Sequence, residues 1–503
     1  MKLCIVFLAF TLSLRLTTAN FDINLDAPNP DKKWVTIKGA PVGSYSGRVV
    51  SNIGDFNGDG IDDMVINTPN IWTNEVVYVI YGQKDGYSED TILLNTTYSE
   101  GFAIKGPFIN GTFTSFGSAL SKAIDLNGDG LGDIVIGAPA FSNSQGIVYV
   151  IYGKKGHTGD ITINQDLSFS SSQGFVILGP RPSQLGYSVG VAGDFNGDGF
   201  DDLLIGANWA ENYMGAVYVI YGNKGNYANI YLNQTLNSQQ VFKIVGSVGS
   251  SCPLGTAVDG AGDINGDGID DILVGVSSCL SVYGLYGKKQ RSESTLTVDS
   301  NLDISKGFRI LAPPDVYQFG GLVSSAGDIN GDGIGDIIVG TYAGLLSNGA
   351  FVFYGRKENW PSFTIGSDLT FDQGFRVVDS RNTIRSVGVG VYGGGDINGD
   401  GIDDILVRAK NTTIGPAGGG YVAVIYGSTV PLSGDFDIGS NFTVDKGFIV
   451  SGSTLGLNAI WISLATGDFN NDHIDDIVIG APQAESSSGR AYIVFGSSKG
   501  WLF

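Results

Sequence analysis

Short apolar runs bounded by glycine recur along the whole chain, and they recur in the same order. An alternating stretch such as LGYSVGVAGD (185–194) is followed by an aliphatic run such as DDLLIGA (201–207), a turn, and then GAVYVIYG (215–222). The last run returns as VYVIYG at 77–82 and 148–153 and as AYIVFG at 491–496. A polar stretch then leads to GFVILGP (174–180), echoed by GFAIKGP (101–107) and GFRILAP (307–313). Runs this short, rich in Val, Ile, Tyr and Phe and closed by Gly, are strands. No helical period of useful length accompanies them.

Each unit therefore predicts four strands, and the unit repeats seven times. The repeat is marked by a nine-residue loop joining the first strand to the second. Its first positions are Asp55, Asp125, Asp194, Asp263, Asp328, Asp396 and Asp468, spaced 65–72 residues apart. A period of this size signals stacked supersecondary units. Four short strands repeated radially predict an all-β fold, a seven-bladed β-propeller of four-stranded blades over residues 20–503. The chain ends on a third strand, while its beginning matches a polar stretch and a fourth strand. Residues 34–38 are thus expected to complete the seventh blade, closing the ring with the N-terminal strand and hiding its edges.

The loop itself carries candidate chemistry. Side-chain oxygens stand at places 1, 3, 5 and 9, with a main-chain carbonyl at place 7. In order, the seven sets are Asp55, Asn57, Asp59, Ile61 and Asp63; Asp125, Asn127, Asp129, Leu131 and Asp133; Asp194, Asn196, Asp198, Phe200 and Asp202; Asp263, Asn265, Asp267, Ile269 and Asp271; Asp328, Asn330, Asp332, Ile334 and Asp336; Asp396, Asn398, Asp400, Ile402 and Asp404; and Asp468, Asn470, Asp472, Ile474 and Asp476. Oxygens alone, six to eight of them, are what Ca²⁺ takes, whereas Mg²⁺ demands a stricter octahedron and keeps more water. Up to seven Ca²⁺ are expected. An EF-hand would place Glu at position 12, but here stand aliphatic residues such as Ile66 and Val274, so the loop lies between strands. The seventh loop departs from the others: Asn471 and His473 replace glycines, which marks it as the weakest site.

Composition and charge narrow the function. Gly is 76 of 503 residues and Pro only 15, which suits many strands with tight turns. Net charge is −21, opposite to the basic patches of nucleic-acid binders. The first nineteen residues, MKLCIVFLAFTLSLRLTTA, read as a secretory signal peptide (1–19). Its loss would remove Lys2 and Arg15, leaving −23, and seven Ca²⁺ would bring that to −9. No later segment is apolar enough to span a membrane, so a secreted, extracellular protein is expected. Cys252 and Cys279 flank the open end of the fourth unit's hairpin and are expected to form a disulfide. Asn95, Asn110, Asn233, Asn411 and Asn441 are glycosylation acceptors.

At these residues the chain resembles the FG-GAP repeats of the integrin α-subunit β-propeller. FGSALSKAIDLNGDGLGDIVIGAP (116–139) carries Phe116-Gly117, the loop and Gly137-Ala138-Pro139. The resemblance implies calcium in the matching loops and an adhesion or protein-recognition role. Such propellers also accompany a separate catalytic domain in a phospholipase D. Here the repeats take up the chain after the signal, and His157 and His473 both lie in polar turns, so no enzyme is expected. The expected partner is an extracellular protein ligand. A glycan-binding, lectin-like propeller is the alternative, and a calcium-dependent polysaccharide lyase a thinner one. Trp72, Phe141, Trp209, Tyr213 and Tyr342 lie between second and third strands, on the face opposite the calcium loops, and are the ligand-face candidates.

Overall fold

Seven sheets, one for each repeat, make up the computed structural model. It describes residues 22–498 apart from 40–42, 70–74, 95–99, 108–112, 158, 165–169, 248–251, 290–292, 315, 317, 342–348, 367–368, 371, 381–386, 410–419, 440–441 and 453–462. Blade 1 runs Val50–Gly54, Asp63–Pro69, Glu75–Ile80 and Gly101–Lys105, each antiparallel to the next. The first strands of blades 2 to 7 are Ala119–Leu120, Leu185–Gly193, Ala257–Gly262, Leu322–Gly327, Val387–Gly393 and Leu464–Gly467. These inner strands line the central channel.

The ring closes as expected. Trp34–Lys38 pairs antiparallel with Arg490–Val494, so the chain's beginning supplies the fourth strand of blade 7. Packing agrees with pairing. The buried apolar residues fall into clusters that each join one blade to the next, and one of them unites Ile37, Phe469 and Val478 of blade 7 with Val50, Met64 and Ile80 of blade 1. A fully buried aliphatic side chain contributes about 1.5–3 kcal/mol, so these interfaces, rather than any single blade, hold the ring.

The blades differ from expectation in having five strands, not four. The fifth is lent by the next unit from its polar stretch and lies parallel to the fourth: Ile161–Thr162 on blade 1, Ile230–Tyr231 on blade 2, Thr295–Val298 on blade 3. Lent strands bury apolar pairs such as Ile230 and Leu232, or Leu296 and Val298. At the closure, Asp22–Asn24 does this for blade 6 and Thr91–Leu93 for blade 7. Gly174, opening a fourth strand, shows why these begin with Gly-Phe: a β-carbon there would come within 2.0 Å of the Val150 carbonyl oxygen. The phenyl that follows, Phe175, is buried.

Among the described residues no helix is long and apolar enough to cross a membrane. Residues 1–19, and with them the expected signal peptide, lie outside the described residues. So do Asn95, Asn110, Asn411 and Asn441, whereas Asn233 is exposed.

Candidate metal loops and the opposite face

All seven loops share one hydrogen-bonded scaffold, seen in full in the first. Asp55 caps the turn: its Oδ1 accepts the main-chain N–H groups of Gly58 and Asp59 at 2.6 and 3.0 Å, and its Oδ2 accepts that of Gly60 at 2.8 Å. Asp63 ties the loop to the blade. Its Oδ2 accepts from Phe56 and Asn57, and its Oδ1 accepts from Gly82 at the end of the third strand. Asp59 accepts the Ile61 N–H through Oδ1 and the Asn57 amide through Oδ2. Between the oxygen-bearing places sits an anchor that the sequence reading did not use. The second-place residues, Phe56, Leu126, Phe195, Ile264, Ile329, Ile397 and Phe469, are all buried and pin each loop to a blade interface.

The charge pattern inside this scaffold is costly. Burial is the main cause that pushes the Asp63 carboxyl up to about 8; N–H bonds from Gly82 and Asn57 pull it back, while Asp59 and Asp55 add to the rise. Asp133, Asp202, Asp271, Asp336 and Asp404 are likewise pushed up to about 8, and Asp476 is raised well above the usual range.

The donor set fits Ca²⁺ in kind. Every donor is a hard oxygen, and Asn196 Oδ1, at the third place of loop 3, is buried without a hydrogen-bond partner. A carboxylate has about four lone-pair sites, so three N–H bonds leave Asp55 and Asp63 acceptor capacity, and Asp59 has more. Among the described residues, however, no three Asp, Glu, His or Cys side chains stand gathered around one point. The carboxylates bend toward their own amides, and binding would draw them inward. In loop 7 the non-glycine residues Asn471 and His473 adopt φ of 61° and 66°.

Cys252 and Cys279 form a disulfide in the structure, with α-carbons 5.6 Å apart. The bond stands at the end of the blade 4 hairpin away from its loop.

The opposite face holds the ligand-face candidates unevenly. Trp209 and Tyr213 are 37% and 61% exposed, with ring centroids 5.7 Å apart. Phe141 corrects the expectation: it is buried among Phe116, Ile147 and Tyr149 at the blade 1–2 interface. It opens a helical turn at the position held by Ala210 and Ala484 in blades 3 and 7, and both of those are buried too. Trp72 and Tyr342 lie outside the described residues. Sequence reasoning missed Tyr187, 42% exposed, which with Arg48 and Gln318 lines a cavity of about 740 Å³ in the central channel. Its wall also carries hydroxyls from Ser51, Ser118, Thr256, Ser277 and Ser463.

Comparison with known proteins agrees with this geometry. The FG-GAP repeat model matches residues 116–151, 185–220 and 461–494. The chain is 28% identical to integrin alpha-PS2 of Drosophila melanogaster over 319 residues, 59% of this chain and 21% of that protein. It is 29% identical to integrin alpha pat-2 of Caenorhabditis briggsae over 228 residues, 44% of this chain and 17% of that one. Phosphatidylinositol-glycan-specific phospholipase D of Bos taurus is 34% identical over 194 residues, 37% and 20% of the two chains. The chain thus spans about a fifth of the length of the curated relatives it matches. Among solved structures, the crystal structure of rhamnogalacturonan lyase YesW is similar with a TM-score of 0.41 at 11% identity, covering 92% of this chain and 76% of that one. The expectation that the chain is no enzyme is overturned: its relatives include a phospholipase, so kinship through these repeats does not set catalysis aside.

Proposed function

We propose that this FG-GAP-repeat propeller, similar to integrin α subunits, is an extracellular recognition module that calcium stabilises and that binds a protein ligand on the face away from its loops. One observation carries the reading. The two faces are divided in kind: oxygen-rich loops on one, and on the other the exposed pair Trp209 and Tyr213, with Tyr187 at the channel cavity. Large aromatic side chains give much contact area for little lost entropy, which is why they anchor partners. The loops supply structure instead, because each ties the first strand of a blade to its second, and a cation bound there stabilises the folded chain by mass action.

A glycan is the second reading. It is favoured by the hydroxyl-rich wall of the same cavity beside the Tyr187 ring, since sugars stack on aromatic faces and bond to hydroxyls. The test is a pull-down of extracellular proteins and a glycan array, each run with the wild type, with Trp209→Ala/Tyr213→Ala and with Tyr187→Ala. A protein captured by the wild type and lost by the double variant supports the first reading. A glycan hit kept by the double variant but lost by Tyr187→Ala supports the second. Protein capture unchanged by the double variant rejects this face as the ligand surface.

A further inference from the structure

The eighth place of the loop, which none of the roles above uses, reaches out of its own blade. Asp270 Oδ2 accepts the main-chain N–H of Asp194, the first place of the preceding blade's loop, at 2.9 Å. Asp403 does the same for Asp328 at 2.8 Å, and Asp475 for Asp396 at 2.9 Å. Asp201 stands 3.5 Å from the N–H of Asp125, and Asp62 takes that of Asp468, carrying the series across the closure of the ring. The other two loops have glycine here. Gly132 and Gly335 keep only a main-chain bond, donating their N–H groups to the carbonyls of Asp55 and Asp263 at 3.0 Å as Asp475 also does to Asp396 at 3.1 Å, and have no carboxylate to accept in return.

The residue before the first place records the difference. A β-carbon on Gly193 would come within 2.2 Å of the Asp270 carboxylate, and one on Gly327 within 2.2 Å of Asp403. Gly262 belongs to the loop that meets Gly335, and it has nothing within 4 Å. At Gly193 and Gly327 the aspartate of one blade and the glycine of its neighbour form a fitted joint, whereas Ile124 stands before Asp125, where Asp201 keeps 3.5 Å.

We propose that the eighth-place aspartates are positioning residues that couple calcium binding between neighbouring loops, in two runs: loops 2, 3 and 4, and loops 5, 6, 7 and 1. The breaks fall where Gly132 and Gly335 stand. This rests on the calcium reading above. The eighth place lies between two candidate donors, the seventh-place carbonyl and the ninth-place carboxylate. A cation that holds those two also holds the eighth residue. Its carboxylate then fixes the first-place residue of the preceding loop, whose side chain is a donor there. Ordering one loop spares the next cation part of the ordering cost, and such coupling is reciprocal.

The test is a titration of metal-free full-length protein with Ca²⁺ alone. Native mass spectrometry counts bound ions, and amide hydrogen exchange reports each loop separately. Asp270→Ala alters no donor of loop 3, yet it should weaken Ca²⁺ protection at loop 3 by roughly tenfold while leaving loop 5 unmoved. Asp270→Asn, which keeps an acceptor oxygen, should restore most of it. If Asp270→Ala does not fold, Asp201→Ala carries the same test at loop 2. Ions bound as before with loop 3 protection unchanged in Asp270→Ala would overturn the coupling alone. No ions bound by the wild type would overturn the calcium reading and the coupling together.

Discussion

Lys122 and Asp259 meet across the central channel, Nζ to Oδ2, at 2.7 Å. The lysine follows the first strand of blade 2, and the aspartate lies in the first strand of blade 4. Ser324 of blade 5 accepts from the same ammonium at 3.0 Å, and the ring of Tyr392 in blade 6 lies 4.4 Å from it. Burial opposes the Lys122 charge, but Asp259 and Tyr392 more than offset it and hold its pKa above the usual lysine value. One side chain thus braces four blades. The channel gives solvent some access, with the lysine side chain 27% exposed, so the full cost of breaking a buried pair does not apply. Lys122→Met and Asp259→Asn should each cost about 2 kcal/mol, because each strands a charge. The double variant should cost less than the sum. Chemical denaturation of all four proteins checks this, and additive losses would show that the pair does not interact.

Removing calcium should loosen the whole ring. A site held at about a hundred times its dissociation constant adds about 2.7 kcal/mol, so excess chelator should lower the melting temperature substantially. Asp263→Ala should lose one ion and destabilise chiefly blade 4. A melting curve unchanged after verified metal removal would reject a structural role for the ion.

Loop 7 should improve on repair. His473 holds φ 66° where the other loops have glycine, and its side chain is 90% exposed, so only a solvent-screened contact of its Nδ1 with Asp468 Oδ2 at 3.8 Å offsets the backbone strain. His473→Gly should stabilise the protein by about 1 kcal/mol and tighten Ca²⁺ at that loop. Equilibrium denaturation and calorimetric titration would show it, and a loss of stability would count against the strain argument.

The blade 4 disulfide joins residues 27 apart in sequence. Closing such a loop is worth on the order of 3 kcal/mol through the unfolded chain. Cys252→Ser/Cys279→Ser should lose about that much. Alkylation without reductant should modify neither Cys252 nor Cys279 in the wild type, and alkylation of both would refute the bridge.

His157 gives a pH test. Its ring packs 4.5 Å from that of Phe102, centroid to centroid. Burial lowers its pKa below 6.5, the Gly159 carbonyl works the other way, and Lys154 adds to the lowering. Folding therefore favours the neutral ring. Its contribution is present above pH 6.5 and is lost as pH falls below that value. The difference in melting temperature between wild type and His157→Gln should narrow from pH 7.5 to 5.5. A constant difference would rule out a titrating contribution.

The ring and its loops were legible because they rest on many equivalent signals: aspartates in register seven times and strands that mostly run four residues or more. The lent fifth strands were not, since each shows only two alternating apolar residues, such as Ile230 and Leu232, inside a polar stretch. Phe141 misled for a different reason. An aromatic residue between strands looks exposed unless it is aligned with Ala210 and Ala484, whose small side chains mark the position as inward. The eighth-place contacts could not be read from one loop at all. Their partner lies about 70 residues earlier, and only the alternation of Asp62 and Asp201 with Gly132 and Gly335 hints at two kinds of joint.

The closure has a consequence for how the chain is made. Asp22–Asn24 pairs with Gly447–Gly452, and Trp34–Lys38 takes Arg490–Val494 on one edge and Thr91–Leu93 on the other. A growing polypeptide that has completed five blades still carries Asp22–Asn24 without its partner strand and Trp34–Lys38 with the edge that meets blade 7 open. Such distant pairing is slow and leaves edges open to wrong partners while it waits. Closure of the seam is therefore a late step, and substitutions such as Val35→Asp should lower the yield of folded protein far more than equal damage within blade 3.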